Sequence, residues 1–131
     1  IGSPSMNIMD ASFDFDTSEP CVRLDGGGTV SLGDNLSAVS ASRYKSGDKV
    51  FLGVRPEKMW PADKGEQPLY QSRITLVEPL GSEKYIYYAY KDRNITVHDD
   101  SDRNFSREEA GFCFKAEDMV LFDYQTEIAI R

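Results

Sequence analysis

The sequence has few of the residues on which most catalytic and metal sites depend. Its 131 residues include one histidine, His98, and two cysteines, Cys21 and Cys113. Neither cysteine has a second Cys or His at metal-ligand spacing, and two cysteines are too few for a disulfide scaffold, so we predict two free thiols. No nucleophile motif such as Gly-x-Ser-x-Gly occurs, and a lone histidine at a strand end is usually structural or exposed. The sequence therefore argues against catalysis by this chain.

Basic residues and long apolar runs are scarce as well. The 15 Lys and Arg residues stand against 22 Asp and Glu residues, and the net charge of -7 repels phosphate backbones and anionic lipid headgroups. No stretch approaches the roughly 18 apolar residues that span a bilayer, and no signal-peptide pattern is present. We therefore predict no nucleic-acid partner and no direct membrane insertion.

Two stretches look like ligand-binding loops but lack residues that such loops need. The glycine run 26–28 is followed by no Lys-Ser or Lys-Thr and by no helix pattern, so it predicts a hairpin turn and not a phosphate cradle. Asp100, Asp102 and Asn104 occupy the first three ligand positions of a calcium loop, but Phe105 stands where that loop needs glycine. We expect a solvated acidic loop there and predict no metal site.

Apolar and polar residues alternate along most of the chain, as they do in half-buried strands. Closely spaced turn formers leave no room for a long helix, and they lie at 25–29, 32–35, 45–48 and 78–81. The sets expected to share one strand face include Val50, Leu52 and Val54, then Ile74 and Leu76, then Ile128 and Ile130. The predicted fold class is all-β.

One segment favours a short helix instead. In SREEAG, Ser106 and Glu109 have capping-box spacing and Gly111 can end the helix. We predict a single helical turn there and no longer helix elsewhere.

Three prolines between residues 55 and 68 predict a stiff connection between two β-units. We accordingly divide the chain into a linker at 1–7, a first unit at 8–60 and a second unit at 61–131. The sequence opens without methionine and stops within an apolar alternation, so we expect it to be a piece of a longer protein.

The stretch EKYIYYAYK carries four closely spaced tyrosines. In a strand, Ile86, Tyr88 and Tyr90 share one face, whereas Tyr85 and Tyr87 lie on the other. One interpretation is a central strand of a small barrel or sandwich, where aromatic cross-strand pairs stabilise the sheet. A second is that the outer face docks on a partner chain, since tyrosine is enriched at interfaces. A third is an aromatic platform that binds sugar or single-stranded nucleic acid. The acidic charge of the chain argues against nucleic acid.

Four stretches occur in the same order as in a known family. They are IGSPSMN at 1–7, GVRPE at 53–57, VEPLGSEKYIY at 77–87 and LFD at 121–123. Together they resemble the C-terminal regulatory region of MalK-type ATPases, which serve bacterial sugar importers of the ABC class. The resemblance covers essentially the whole chain, and it implies a TOBE-type fold of two linked OB-fold-like small barrels.

The resemblance also implies a function. It points to a regulatory and dimerisation domain of an importer for sugars or for a solute such as glycerol phosphate. It implies a homodimer through this region, contacts with the parent's nucleotide-binding domain and membrane permease subunits, and a cytoplasmic position at the inner face of the membrane. The candidate interface or regulatory residues in the shared stretches are Arg55, Glu57, Gly81, Tyr85 and Tyr87.

The resemblance assigns the chemistry of ATP to another part of the parent. No Gly-x-x-x-x-Gly-Lys-Ser/Thr loop occurs in this chain, so we expect it to hold no cofactor and to hydrolyse no ATP. ATP and Mg would be bound by the parent's nucleotide-binding domain. The parent would be an enzyme, whereas this piece would not.

A small-ligand binding module is the alternative function. Barrels of this type elsewhere hold sugars or oxyanions. An oxyanion site would need converging Ser, Thr and Lys groups, and GSEK at 81–84 is the only compact candidate in the sequence.

Overall fold

The computed structural model describes residues 5–106 and 108–131. Within these residues the chain forms two antiparallel sheets of five strands each and one short helix, α1 (Leu36–Ala41). The strands are β1 (Asn7–Asp14), β2 (Cys21–Leu24), β3 (Thr29–Ser31), β4 (Lys49–Val54), β5 (Met59–Pro61), β6 (Tyr70–Leu80), β7 (Glu83–Tyr90), β8 (Arg93–Asp99), β9 (Glu109–Phe114) and β10 (Val120–Asp123). Single 3-10 turns lie at Gly33–Asn35, Pro56–Lys58 and Ala116–Asp118. The predicted all-β fold class is confirmed.

The first sheet is built around β1, in the order β10-β4-β1-β2-β3. Strand β1 alternates buried and half-buried residues along its whole length, and Met9 and Phe13 point into the core. The glycine run forms the β2–β3 hairpin turn, in which the Leu24 amide donates to the Gly28 carbonyl at 2.8 Å and Gly26 has a φ of 77°. The predicted hairpin turn is confirmed.

The second sheet has the order β5-β9-β6-β7-β8. The tyrosine-rich stretch forms β7, in the interior of this sheet, and its inward face carries Ile86, Tyr88 and Tyr90, all buried. The Tyr88 hydroxyl donates to the Gly111 carbonyl at 3.2 Å, and its ring meets Phe112 edge-on with the centroids 5.1 Å apart. The two predicted faces of this strand are confirmed, because the aromatic side chains of one face fill the core.

Polar side chains join the two sheets where β1 meets β8. The carboxamide of Asn7 donates to the Thr96 carbonyl at 2.7 Å and accepts from the Thr96 amide at 2.9 Å. Nearby, the Tyr90 hydroxyl accepts from the Asp10 amide at 2.7 Å. Since β8 is an edge strand, Asn7 satisfies backbone groups that its own sheet leaves unpaired.

A β-bulge changes the expected pattern of β6. The pairing with β7 shifts between Ile74, which lies opposite Tyr88, and Leu76, which lies opposite Tyr87. Ile74 is therefore buried, whereas Leu76 is 46% exposed on the other side of the sheet. The prediction that these two residues share a face was wrong, because the extra residue of a bulge reverses the alternation.

The structure also differs from expectation in its helices and near the end of the chain. Glu109 begins β9, so the predicted helical turn at 106–111 was wrong; Arg107 lies outside the described residues. The expectation of no helix longer than one turn was also wrong, because α1 has six residues. The prediction that Ile128 and Ile130 share a buried face was wrong, since Ile128 is 68% exposed whereas Ile130 is buried. An isolated bridge from Ala129 to Phe122 pairs this segment with β10.

Hydrogen bonding also crosses the predicted boundary between the two units. Strand β10 pairs with β4 in the first sheet, while β5 pairs with β9 in the second. The division at residue 60 stays a prediction about domains. Of the predicted linker, residues 1–4 lie outside the described part and Asn7 already begins β1.

Replacing Asn7 with Ala tests the joint between the sheets. We expect N7A to lower the free energy of unfolding by about 3 kcal/mol, because the amide and carbonyl of Thr96 lose their partners. Urea unfolding followed by circular dichroism measures the change, and Asn104→Ala, an exposed site, is the control with an expected change within about 0.5 kcal/mol. An N7A loss as small as the control's would show that water replaces the carboxamide.

The end of β10 provides a pH-dependent contact. The Tyr44 hydroxyl donates to Asp123 at 2.6 Å and the Thr126 amide donates to the same carboxylate, so the pKa of Asp123 falls from 3.8 to about 2. Because the folded-state pKa is depressed, this carboxylate stabilises the fold above about pH 4, and the effect is lost as pH falls toward 2. Carboxyl NMR titration should give a pKa near 2, and Tyr44→Phe should return it toward 3.8; an unchanged value in Y44F would contradict the assignment.

Candidate interaction surface

The outward side of strands β6–β8 forms a mixed aromatic and acidic surface. Register places Leu76 beside Tyr87, Glu78 beside Tyr85, and His98 on the far side of Tyr85. We call this surface the aromatic face, and it consists of Leu76, Glu78, Leu80, Glu83, Tyr85, Tyr87, Thr96 and His98. Two of the predicted candidate residues, Tyr85 and Tyr87, thus lie side by side and half-buried on one sheet surface.

Contacts within the aromatic face fix its tyrosines. The Tyr87 hydroxyl donates to Glu78 at 3.0 Å, and partial burial together with this acceptor raises the pKa of Tyr87. The Tyr85 ring meets the His98 ring edge-on, with the centroids 5.9 Å apart, and His98 Nε2 lies 3.2 Å from a Glu83 carboxylate oxygen. Both carboxylates of the face therefore have a partner on the same surface.

Two leucines give the aromatic face its exposed apolar area. Leu76 is 46% exposed and Leu80 is 44% exposed, and the bulge at Thr75 turns them outward. The Thr75 hydroxyl donates to the Tyr87 carbonyl at 3.2 Å and so holds the bulge against β7. The sheet surface thus presents two exposed leucines on β6, along one side of the tyrosine row of β7.

The edge of β6 beside this face is protected against strand pairing. Beyond Arg73, β6 pairs only with β7, which leaves one edge of residues 76–80 without a strand partner in the described part of the chain. Pro79 in this stretch has no N–H to offer a further strand. A partner would therefore pack against the face and not extend the sheet.

The other three predicted residues lie at different distances from the aromatic face. Glu57, in the 3-10 turn after β4, lines a groove of about 360 Å³ together with His98 and Trp60, so it adjoins the face. Gly81 lies at the exposed β6–β7 turn with a φ of 73°. Arg55 is exposed before the same 3-10 turn and does not line this groove. A role for any of the predicted residues in partner binding stays a prediction.

The GSEK stretch does not form a converging donor site. The Lys84 ammonium donates to the Ser101 carbonyl at 2.6 Å and lies 3.1 Å from the Asp99 carboxylate, facing the inner side of the sheet. Ser82 is exposed at the turn. Since the cation of this stretch is already paired, the candidate oxyanion site at 81–84 is not supported by the geometry.

A second concave feature lies where the β7–β8 turn approaches the first sheet. Lys91, in that turn, donates to Asp10 of β1 and to Asp25 of the β2–β3 turn, both at 2.7 Å. These two carboxylates hold the pKa of Lys91 above its ordinary value. The cleft beside them measures about 500 Å³ and is also lined by Tyr124.

Sequence reasoning identified part of this surface and missed the rest. The Lys91–Asp92 turn pairs Tyr90 with Arg93, so counting back along the hairpin would have placed His98 opposite Tyr85. The exposure of Leu76 depends on the bulge, for which the sequence carries no comparable signal.

Among residues 5–106 and 108–131 no cluster of three His, Cys, Asp or Glu side chains could hold a metal ion. In the same residues no helix has the length and apolar character needed to cross a bilayer.

Two five-stranded antiparallel sheets curled around a shared core define a protein of the OB-fold class of small β-barrels. The structure of the cytoplasmic molybdate-binding protein ModG is similar, with a TM-score of 0.63 at 14% identity over 92% of this chain and 96% of that one. This likeness concerns the fold. Residues 2–59 match the family model of the MalK OB fold domain.

Several import proteins are similar to the chain in sequence. The sn-glycerol-3-phosphate import ATP-binding protein UgpC of Chromobacterium violaceum is 30% identical over all of this chain and 33% of its own length. The maltose/maltodextrin import ATP-binding protein MalK of Aliivibrio fischeri is 32% identical over 70% of this chain and 24% of its own length. The lactose transport ATP-binding protein LacK of Rhizobium radiobacter is 29% identical over 94% of this chain and 34% of its own length. The resemblance to MalK-type proteins is confirmed, and the chain spans about a third or less of these relatives.

Proposed function

We propose that this chain is the C-terminal regulatory and dimerisation domain of the ATP-binding subunit of an ABC importer for sugars or a related solute such as glycerol phosphate. The names of the relatives support the importer class, and the match to the MalK OB fold domain supports the kind of domain. The observation that carries the dimerisation role is the aromatic face, with two exposed leucines on β6 beside a row of half-buried tyrosines on β7.

The proposal extends to the parent protein. The parent binds ATP and Mg in a nucleotide-binding domain, associates with membrane permease subunits and lies in the cytoplasm at the inner face of the membrane. This chain contributes no residue to ATP hydrolysis, because its sequence contains no Walker-type phosphate loop. Its role is to hold two subunits together.

Charge sets the expected strength of the self-association. Each copy carries a net charge of -7, and the aromatic face itself carries Glu78 and Glu83, so two copies repel each other. The contacts of these carboxylates with Tyr87 and His98 fix their positions on the face and leave the net charge unchanged. We therefore propose a weak dimer with a Kd of about 1 μM or above, equivalent to roughly 8 kcal/mol or less.

Sedimentation of the chain at two salt concentrations tests this proposal. A reversible dimer should form at high protein concentration, and it should tighten with added salt because screening reduces the repulsion between copies. Leu80→Asp should weaken it at least about tenfold, since the change adds a charge to the apolar part of the interface.

The matched control is Ile128→Asp, which makes the same kind of change at an exposed apolar residue outside the aromatic face. I128D should dimerise like the unmodified chain. A chain that stays monomeric at both salt concentrations would contradict the proposal, and equal weakening by L80D and I128D would place the interface elsewhere.

A small-ligand binding module is the second candidate function. Its support is the likeness in fold to ModG, a molybdate-binding protein, together with the 500 Å³ cleft at the junction of the two sheets. Clefts of this size at such junctions are common ligand sites.

A further inference from the structure

Three hydrogen-bond donors from three adjacent strands face this cleft. Ser12 of β1 lies directly opposite Arg23 on β2 and directly opposite Lys49 on β4. Cross-strand partners project to the same side of a sheet, and neighbouring strands are about 4.8 Å apart. All three residues line the 500 Å³ cleft, so we call them the donor row.

The donor row has unused hydrogen-bonding capacity. Arg23 donates to Asp14 through Nη2 at 2.7 Å, which leaves its other guanidinium N–H groups available. No carboxylate of the described residues lies within salt-bridge distance of Lys49, whose ammonium lies 5.5 Å from the centroid of the Tyr124 ring. The Ser12 hydroxyl between them makes no hydrogen bond to a described residue. A row with a hydroxyl flanked by two cations is suited to an anion.

The acidic residues at and beside the cleft are each bonded to a cation, Asp14 to Arg23 and the other two to Lys91. Asp10 and Asp25 are both bonded to Lys91, so these carboxylates are occupied by a third cation. Counting Arg23, Lys49 and Lys91 against Asp10, Asp25 and Asp14 leaves no net local charge, so an anion would be held by the directed donors of the row. The chain's net charge of -7 acts from further away and is screened beyond about 8 Å at physiological ionic strength.

The rim of the cleft leaves room for a ligand. Gly26, Gly27 and Gly47 line it without side chains. The Gly27 amide already donates to the Leu24 carbonyl at 3.0 Å, and the Gly47 amide donates to the Phe13 carbonyl at 2.8 Å. Recognition would therefore come from the side chains of the donor row and not from a glycine-rich backbone loop.

We propose that the donor row, Arg23, Ser12 and Lys49, binds the oxyanion group of phosphate or of a small phosphate monoester. A tetrahedral oxyanion has acceptors in several directions and can receive the guanidinium, hydroxyl and ammonium groups together. The inference deepens the second candidate function and is independent of self-association through the aromatic face.

Amide NMR titration with inorganic phosphate tests the site, at ionic strength held constant with sodium chloride. We expect saturable shifts centred on the donor row with a Kd of about 1 mM or above, because few contacts are made. Lys49→Gln should weaken binding at least about fivefold. Asp14→Asn should tighten it by about twofold or more, since it removes the carboxylate that competes for Arg23.

Lys58→Gln is the control, since it removes an exposed lysine that lines the other groove. It should leave phosphate binding unchanged. Equal weakening by K49Q and K58Q, or shifts that never saturate, would overturn the site, and D14N binding no tighter than the unmodified chain would overturn the role of Arg23.

A parallel titration with sn-glycerol 3-phosphate separates the two sources of the anion. Tighter binding than for inorganic phosphate supports a monoester whose organic part contacts the cleft, whereas equal binding supports recognition of phosphate alone. Sedimentation of K49Q distinguishes failure of this site from failure of the dimer. If K49Q still dimerises, the anion site and the dimer interface are independent of each other.

Discussion

The packing of the two sheets into one core depends on the carboxamide of Asn7. Strand β8 ends the second sheet, and its outward backbone groups would be buried without partners where β1 lies against it. Asn7 is only 6% exposed, and its side chain supplies one donor and one acceptor to Thr96, as a neighbouring strand would. Burying an unpaired amide and carbonyl costs about 1–3 kcal/mol each, so an apolar residue of similar size at this position would weaken the joint between the sheets.

This joint positions both surfaces that the chain offers to other molecules. Strand β8 carries His98 on its outward side, and it holds β7 in the register that aligns His98 with Tyr85. The same hairpin ends in a two-residue turn, where Lys91 adopts a φ of 49° and reaches the carboxylates of the first sheet. Fixing β8 against β1 therefore sets the aromatic face at one end of the hairpin and one wall of the cleft at the other.

The sequence was informative where structure is local and uninformative where distant segments meet. Alternation in EKYIYYAYK predicted how the tyrosines divide between the two faces of the strand, and the glycine run predicted a hairpin, because both depend on neighbouring residues. The six-residue helix α1 is too short to show a helical period. The return of β10 to the first sheet and the bulge at Thr75 depend on tertiary contacts.

The candidate sites follow the same division. Tyr85 and Tyr87 are close in sequence and were identified, whereas Leu76 became part of their surface only through the bulge. The expected oxyanion stretch at 81–84 was compact in sequence, but its lysine is paired with Asp99. The donor row is spread over residues 12, 23 and 49, and only the pairing of β1 with β2 and β4 brings it together. Spacing along a chain cannot reveal such a row without the register.

The β7–β8 hairpin contributes residues to both surfaces. Whether ligand binding in the cleft could affect self-association depends on how the free energies at the turn compare with those of the buried part of β7. Lys91 is partly exposed, and exposed ion pairs contribute about 0–1 kcal/mol each. Tyr85 lies six residues from Lys91, roughly 20 Å along a strand whose inward side chains are buried in the core. A perturbation of this size at the turn is small beside the cost of displacing Tyr88 and Tyr90, about 3–5 kcal/mol for a large buried aromatic residue. We therefore expect the hairpin to behave as a rigid element, so that anion binding at the cleft would change the proposed dimer constant by less than about fivefold.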